Sequence, residues 1–291
     1  MKKELIMSVA AQVVQSFQRI ENTRHKTLIT NLVQKLHDYI AEVQLTEAEW
    51  EYAINFLTQT GQLCSEQRQE YILLSDVLGV SMLVDEINHQ KNQEQTPSTV
   101  FGPFFIENIA TRQFADTIVI QGDKSHTPLL IKGKILDRHG QPIQNARIDI
   151  WQTAENGMYS GQDPEQKIDN LRGVFISQID GSYAIKSILP VSYQIPSDGT
   201  VGTLLNYSHR SFWRPAHIHF KIVVEGFEPL VTHLFLEGDQ YLNEDAVFGV
   251  KDRLIVHYEH KQPDNQSKAL YGIDQEYDLI EYDFVLSGIG L

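Results

Sequence analysis

The sequence predicts an α+β protein: an N-terminal helical domain over residues 1–96, then an antiparallel β-sandwich over residues 97–291. Three observations carry this. All ten prolines lie at or after Pro97, and of the eighteen glycines only Gly61 and Gly79 precede it. Proline-free, glycine-poor sequence favours helix, and punctuated sequence favours strands and turns. Apolar residues recur at helical spacing in the first part and alternate or run β-branched in the second.

The helical part reads as four or five helices. One is expected over about 4–20 and another over 25–43, with Leu28, Leu32, Leu36 and Ile40 on one face. A third starts at Thr46, where Glu49 three residues on completes a capping box. The last is expected from near Ser65 onward. It carries Leu73, Leu74, Val77, Leu78, Val80, Met82 and Val84, too wide an apolar surface for one partner. Another subunit could cover the remainder. The strand segments are IVIQG (118–122), LLIKGKILD (129–137), ARIDIWQ (146–152), VFISQ (174–178), SYAIKS (182–187), HIHFKIVV (217–224), VTHLFLE (231–237) and RLIVHY (253–258). Asp180-Gly181 marks a hairpin turn. The close spacing of strands predicts antiparallel pairing. The polar stretch 260–270 reads as a surface loop.

Composition excludes several classes. With 42% hydrophobic and 21% charged residues, the 291-residue chain is globular, not disordered. No apolar run is long enough for a transmembrane helix. The first segment reads as an amphipathic helix and not a secretory signal, so a cytoplasmic location is expected. A net charge of −14 without a basic run argues against nucleic acid or an anionic membrane as partner. Cys64 is the only cysteine, which excludes an internal disulfide and any cysteine-rich metal cluster. No phosphate-loop, Rossmann, nucleophile-elbow or HExxH signature is present.

The strongest local signal is Arg214-Pro-Ala-His-Ile-His-Phe220. Residues two apart on a strand share a face, so His217 and His219 would present two imidazoles side by side. Such a pair suits zinc, iron or copper. From spacing alone, two ordinary strand histidines are the commoner explanation of such a pair. Tyr159 and Tyr193 sit in glycine- or proline-flanked loops, where site residues concentrate, but spacing alone promotes neither.

Eight segments extend this signal: Thr99-Val-Phe-Gly-Pro-Phe104, Asp149-Ile-Trp-Gln152, Asn156-Gly-Met-Tyr159, Asn170-Leu-Arg-Gly173, Asp180-Gly-Ser-Tyr183, Pro190-Val-Ser-Tyr193, Ile195-Pro-Ser-Asp-Gly199 and Trp213-Arg-Pro-Ala-His-Ile-His219. In this order they resemble the intradiol ring-cleavage dioxygenases, and the helical part resembles the catechol-type branch. The resemblance implies a non-haem ferric iron, Fe(3+), held by Tyr159, Tyr193, His217 and His219. It implies that a small aromatic diol or triol displaces Tyr193, whose freed oxygen accepts a substrate proton. It implies that Arg214 stabilises negative charge on the activated ring, and that O2 is the co-substrate. The sandwich would then be the catalytic domain. The helices would form a homodimer, which in this family often holds a phospholipid at the dimer axis.

The resemblance also places Leu73, Asp76, Val100, Phe101, Gly102 and Phe104 in the substrate pocket. Catechol-preferring members tend to carry proline where Asp76 stands. Asp76 could accept a hydrogen bond from a third ring hydroxyl, which favours hydroxyquinol (benzene-1,2,4-triol) over catechol or chlorocatechol. Val231–Asp239 and Phe248–Asp252 also resemble hydroxyquinol-cleaving members. The product would be a hydroxy-cis,cis-muconate or its tautomer maleylacetate. His233 departs from the family pattern, which commonly has glutamine fourteen residues after the last histidine, so only a minor part in substrate binding is expected of it. The alternative of another class is a non-catalytic β-sandwich binding module with a helical dimerisation domain.

Overall fold

The computed structural model describes residues 2–65, 68–89, 94–121 and 127–289, with side chains from Val9 onward. It divides into two compact units, residues 1–59 and 60–291.

In the first unit, α1 (Lys2–Ser16) runs into a 3-10 turn at Phe17–Arg19, and α2 (Thr23–Val43) packs on α1. Asn22 caps α2 by accepting from the His25 amide at 2.9 Å. Gln44 ends the helix in the left-handed region. α3 (Glu47–Gln62) begins with the predicted box: the Glu49 amide donates to Thr46 Oγ1 at 3.3 Å, and the Thr46 amide donates to Glu49 Oε2 at 2.8 Å. The stripe of Leu28, Leu32, Leu36 and Ile40 on α2 is exposed in the single chain.

The single helix expected from near Ser65 is two helices, α4 (Glu70–Val77) and α5 (Val80–His89). Residues 66 and 67 lie outside the described residues. Gly79 makes the break with φ +70°, a conformation costly for other residues. Leu78, Val80, Leu83, Val84 and Ile87 are exposed. No helix among the described residues is long and apolar enough to cross a membrane.

The rest comprises β1 (Leu129–Asp137), β2 (Arg147–Trp151), β3 (Arg172–Ile176), β4 (Ser182–Ser187), β5 (Tyr193–Gln194), α6 (Thr200–Tyr207), β6 (Trp213–Arg214), β7 (His217–Val223), β8 (Leu230–Leu236), β9 (Ile255–Val256), β10 (Glu259–Lys261), α7 (Asn265–Tyr271), β11 (Tyr277–Glu281) and β12 (Phe284–Leu286). One sheet has the order β3-β2-β7-β8-β9. The other runs β10-β11-β1, with β4 pairing β1 as well and β12 continuing the register of β11 along β1. β5 and β6 form a short ribbon. Ile148, Ile150, Phe175, Ile218, Phe220 and Ile222 from the first sheet bury against Leu129, Ile131, Ile185, Ile280 and Phe284 from the second.

The sheets are mixed, which corrects the antiparallel expectation: β11 and β12 run parallel to β1, and β9 runs parallel to β8. Adjacency in sequence favours hairpins, but β11 and β12 return from the far end of the chain, and that distance allows the parallel direction. Gly133 permits this return, because a Cβ there would meet the Tyr282 carbonyl oxygen at 1.8 Å. IVIQG forms no strand over its described residues, although the Ile118 amide donates to the Lys186 carbonyl at 2.9 Å. The Asp180-Gly181 turn is present, but it links the two sheets and does not close a hairpin within one. The stretch read as a surface loop contains β10 and α7, the latter capped by an Asp264–Ser267 box.

Candidate active site

The period of two on β7 sorts its side chains. Ile218, Phe220 and Ile222 enter the sandwich core, so His217 and His219 project from the other face of the sheet. Strand register then builds a row across that face. Arg172 pairs with Trp151, Trp151 with His219, and His219 with His233. All four are at most 2% exposed. The Trp151 ring stacks on His219 at 4.6 Å and 15°.

Two tyrosines reach the same place from loops. Gly157 has φ +74°, and a Cβ there would sit 3.1 Å from Tyr193 Cβ, so glycine lets the Tyr159 loop approach the Tyr193 ribbon. Tyr159 Oη lies 2.8 Å from His219 Nε2, 3.4 Å from His217 Nε2 and 3.3 Å from Tyr193 Oη. The two Nε2 atoms are 3.2 Å apart. Asp239 braces the loops, since its Oδ2 accepts from Ser192 Oγ at 2.5 Å and from the Ala216 amide at 2.9 Å, each one residue before Tyr193 and His217.

The electrostatics suit a cation. His217 Nδ1 lies 2.7 Å from the Pro215 carbonyl, which can only accept, so the proton sits on Nδ1 and the Nε2 lone pair faces the cluster. Burial first, and then Arg214 and the neighbouring rings, hold His217, His219 and His233 well below the usual histidine range. Neutral imidazoles are the metal-binding form. Burial, with the neighbouring Tyr193 oxygen, pushes the Tyr159 phenol well up, so ionising it there needs nearby positive charge. Two phenol oxygens and two imidazole lone pairs in a dry cluster fit a hard, highly charged metal ion, which deprotonates phenols as it binds. His219 Nδ1 and His233 Nε2 are buried without hydrogen-bond partners, and the ring nitrogens of His217, His219 and His233 can lie within 4.8 Å of one another.

Arg214 is 3% exposed and ion-paired with Asp245 through Nε at 3.1 Å, while its Nη1 lies 3.2 Å from His217 Nε2. Burial alone would lower its pKa, but Asp245 and the two phenols outweigh burial and raise it, so it remains a cation.

The residues assigned to the pocket fall into two groups. Leu73 and Val100 are buried in one apolar cluster with Trp151, Tyr159 and Tyr193, and Phe104 packs on that cluster, stacked on Tyr159 at 4.5 Å. Gly102 has φ +71°, and a Cβ there would touch His219 Cε1 at 3.5 Å. Asp76 is 3% exposed; burial raises its carboxyl pKa against the lowering effects of a Ser81 hydrogen bond and Arg214. Phe101 is 40% exposed and lies against Phe105 and Trp151, with the Lys221 ammonium over its ring. His233 is fully buried, and its Nδ1 lies 3.0 Å from Thr99 Oγ1. Sequence reasoning did not single out Trp151, Arg172, Asp239 or Asp245. Trp151 and Arg172 lie inside the quoted motifs, but their partners depend on strand register. Asp245 sits thirty-one residues from Arg214, and no local pattern marks it.

Comparison with known proteins identifies relatives of the whole chain. Residues 100–288 match the family described as Dioxygenase, and residues 22–96 match the one described as Catechol dioxygenase N terminus. The chain is 40% identical to the hydroxyquinol 1,2-dioxygenase of Rhizobium sp. (strain MTP-10005), over 96% of this chain and 94% of that enzyme. It is 42% identical to the 6-chlorohydroxyquinol 1,2-dioxygenase of Cupriavidus pinatubonensis, over 91% of each. The crystal structure of the hydroxyquinol 1,2-dioxygenase from Pseudomonas putida DLL-E4 superposes with a TM-score of 0.89 at 47% identity, covering 98% of this chain and 99% of that one. The chain belongs to the intradiol ring-cleavage dioxygenase family.

Proposed function

We propose that this enzyme uses ferric iron to cleave hydroxyquinol with O2 between its two adjacent hydroxylated carbons, giving a hydroxy-cis,cis-muconate or its tautomer maleylacetate. The convergence of Tyr159, Tyr193, His217 and His219, with oxygen and nitrogen atoms 2.8–3.4 Å apart, carries the reading. Members of the family depend on non-haem iron. These four residues would hold it, and when bound it supplies a Lewis acid that lowers the pKa of a diol.

The chain's own groups have distinct tasks in this reading. Tyr159 is completely buried, boxed by Phe104 and the histidines, and stays in place. Tyr193 is 5% exposed on the short β5–β6 ribbon and is the phenol that can move aside and take a substrate proton. Arg214 holds a fixed positive charge beside the cluster, where negative charge develops on the ring. Leu73, Val100, Gly102, Phe104 and His233 exclude water. Asp76 accepts from the third hydroxyl, which selects hydroxyquinol over catechol and chlorocatechol. Relatives named for hydroxyquinol and its chlorinated form support the same choice.

Residues 1–96 serve as the dimerisation domain and 97–291 as the catalytic domain in this reading. Homodimers are general in the family, and the exposed apolar residues of α2 and α5 are suited to cover by a second copy. A phospholipid at that interface and a cytoplasmic location complete the proposal. The test is metal analysis with visible spectroscopy of the purified protein. The proposal expects near one iron per chain, a tyrosinate-to-iron absorption band, and a weakened or shifted band in Tyr159→Phe. An unchanged band would remove Tyr159 from the ligands, and absence of iron binding would leave the binding-module alternative.

A further inference from the structure

Arg172 is a buried cation that no carboxylate accompanies. It is 2% exposed. Its Nε donates to Ser160 Oγ at 2.7 Å and its Nη1 to the Phe104 carbonyl at 2.7 Å, both neutral acceptors. Nη2 is buried without a hydrogen-bond partner. Among the described residues no Asp or Glu pairs with it; its charge acts on Tyr159 and on His219, and of these two only the phenol can become an anion. Arg214, the other buried arginine near Tyr159, already has Asp245. Proteins rarely bury a guanidinium unpaired, because desolvation of the charge goes uncompensated. The Arg172 guanidinium carbon lies 5.9 Å from the Tyr159 ring centroid, and full burial of that ring removes water as a screen.

We propose that Arg172 is the counter-charge of Tyr159, a positioning residue whose guanidinium is balanced only when the Tyr159 oxygen is anionic as a metal ligand. This rests on the iron-site reading above. It accounts for an asymmetry between the two phenols. Releasing Tyr159 would strand a buried cation, whereas Arg214, which pairs with Tyr193 across the β5–β6 ribbon, keeps Asp245 when that phenol leaves. Arg172 also ties this charge to the pocket wall, since the residue that accepts its Nη1 bond is Phe104, whose ring stacks on Tyr159.

The test compares the tyrosinate-to-iron absorption band in iron-loaded wild type, Arg172→Gln, Arg172→Lys and Ser160→Asp. Without the cation the phenolate is a stronger donor, so Arg172→Gln shifts the band to longer wavelength. Arg172→Lys keeps the charge and stays near the wild-type position. Ser160→Asp places a carboxylate beside the intact guanidinium and shifts the band in the same direction as Arg172→Gln. This third variant gives the answer should Arg172→Gln fail to fold. A purely structural Arg172 would make the Lys and Gln variants behave alike, since both lose the Ser160 and Phe104 bonds. Bands at the wild-type position in the Gln and Asp variants would overturn the proposal while leaving the iron site intact. A wild-type protein with no band would instead overturn the iron-site reading, and this inference with it.

Discussion

The Arg214 guanidinium is clamped side-on by Asp245, with Nε 3.1 Å from Oδ1 and Nη2 3.4 Å from Oδ2. Asp245 is itself fixed by the amides of Val247 and Gly249, at 3.3 and 2.9 Å. Nη1 is thereby left to face the cluster. Asp245→Asn should strand a buried cation at a cost of about 3–5 kcal/mol in stability. It should also lower kcat on the diol by roughly 100-fold with a smaller change in KM, because misdirecting a donor aimed at developing charge acts on the transition state. Steady-state kinetics with a denaturant melt checks both. Arg214→Lys should fail to restore turnover, since a point charge cannot use both carboxylate oxygens.

Asp76→Asn should shift the kcat/KM ratio of hydroxyquinol to catechol toward catechol. Loss of one hydrogen bond to a charged acceptor, about 1.5–3 kcal/mol, corresponds to roughly ten- to a hundred-fold. Parallel assays on the two substrates read this directly, and an unchanged ratio would return Asp76 to a structural role.

The same carboxyl gives a pH signature. Burial raises its pKa in the folded protein. The folded state therefore keeps this proton to higher pH than the unfolded chain, whose aspartates titrate near ~3.9. Ionising it costs stability, so the penalty is absent below the unfolded value and grows as pH rises toward the folded one. Asp76→Asn should remove this penalty, gaining stability relative to wild type as pH increases across that window. Denaturant melts of both proteins through that range measure it.

Iron removal should lower the melting temperature and abolish the visible band together. A ligand at a hundred times its Kd adds about 2.7 kcal/mol to the folded state. Re-adding iron should restore both signals in wild type but not in His217→Ala. A melt unaffected by chelation would speak against a metal held by this cluster.

Gly133→Ala should give insoluble protein. Its new methyl would lie 1.8 Å from the Tyr282 carbonyl oxygen, where the β11–β12 edge passes β1, and backbone cannot yield as a flexible side chain can. Solubility after expression is the readout.

Much of this was legible in the sequence, and the remainder was hidden for identifiable reasons. The paired imidazoles followed from the period of two on a strand, and the α3 start followed from Thr46 and Glu49. Tyr159 and Tyr193 emerged only through the family resemblance, because two loops thirty-four residues apart have no spacing rule that joins them. Trp151, His219 and His233 meet through register, which no single strand encodes. The parallel β11 and β12 were missed because their pairing with β1 is non-local. The break at Gly79 was readable as a glycine in a helical pattern, but the continuous apolar run around it argued the other way.

The measurement that tests the central claim most directly is oxygen uptake by the purified enzyme with hydroxyquinol and with catechol. His217→Ala corrects for the spontaneous oxidation of hydroxyquinol. Hydroxyquinol cleavage at this site requires rapid uptake with hydroxyquinol, little with catechol, and a ring-opened product carrying both oxygen atoms. Uptake no faster than the His217→Ala control with either diol, in protein shown to contain iron, would contradict it.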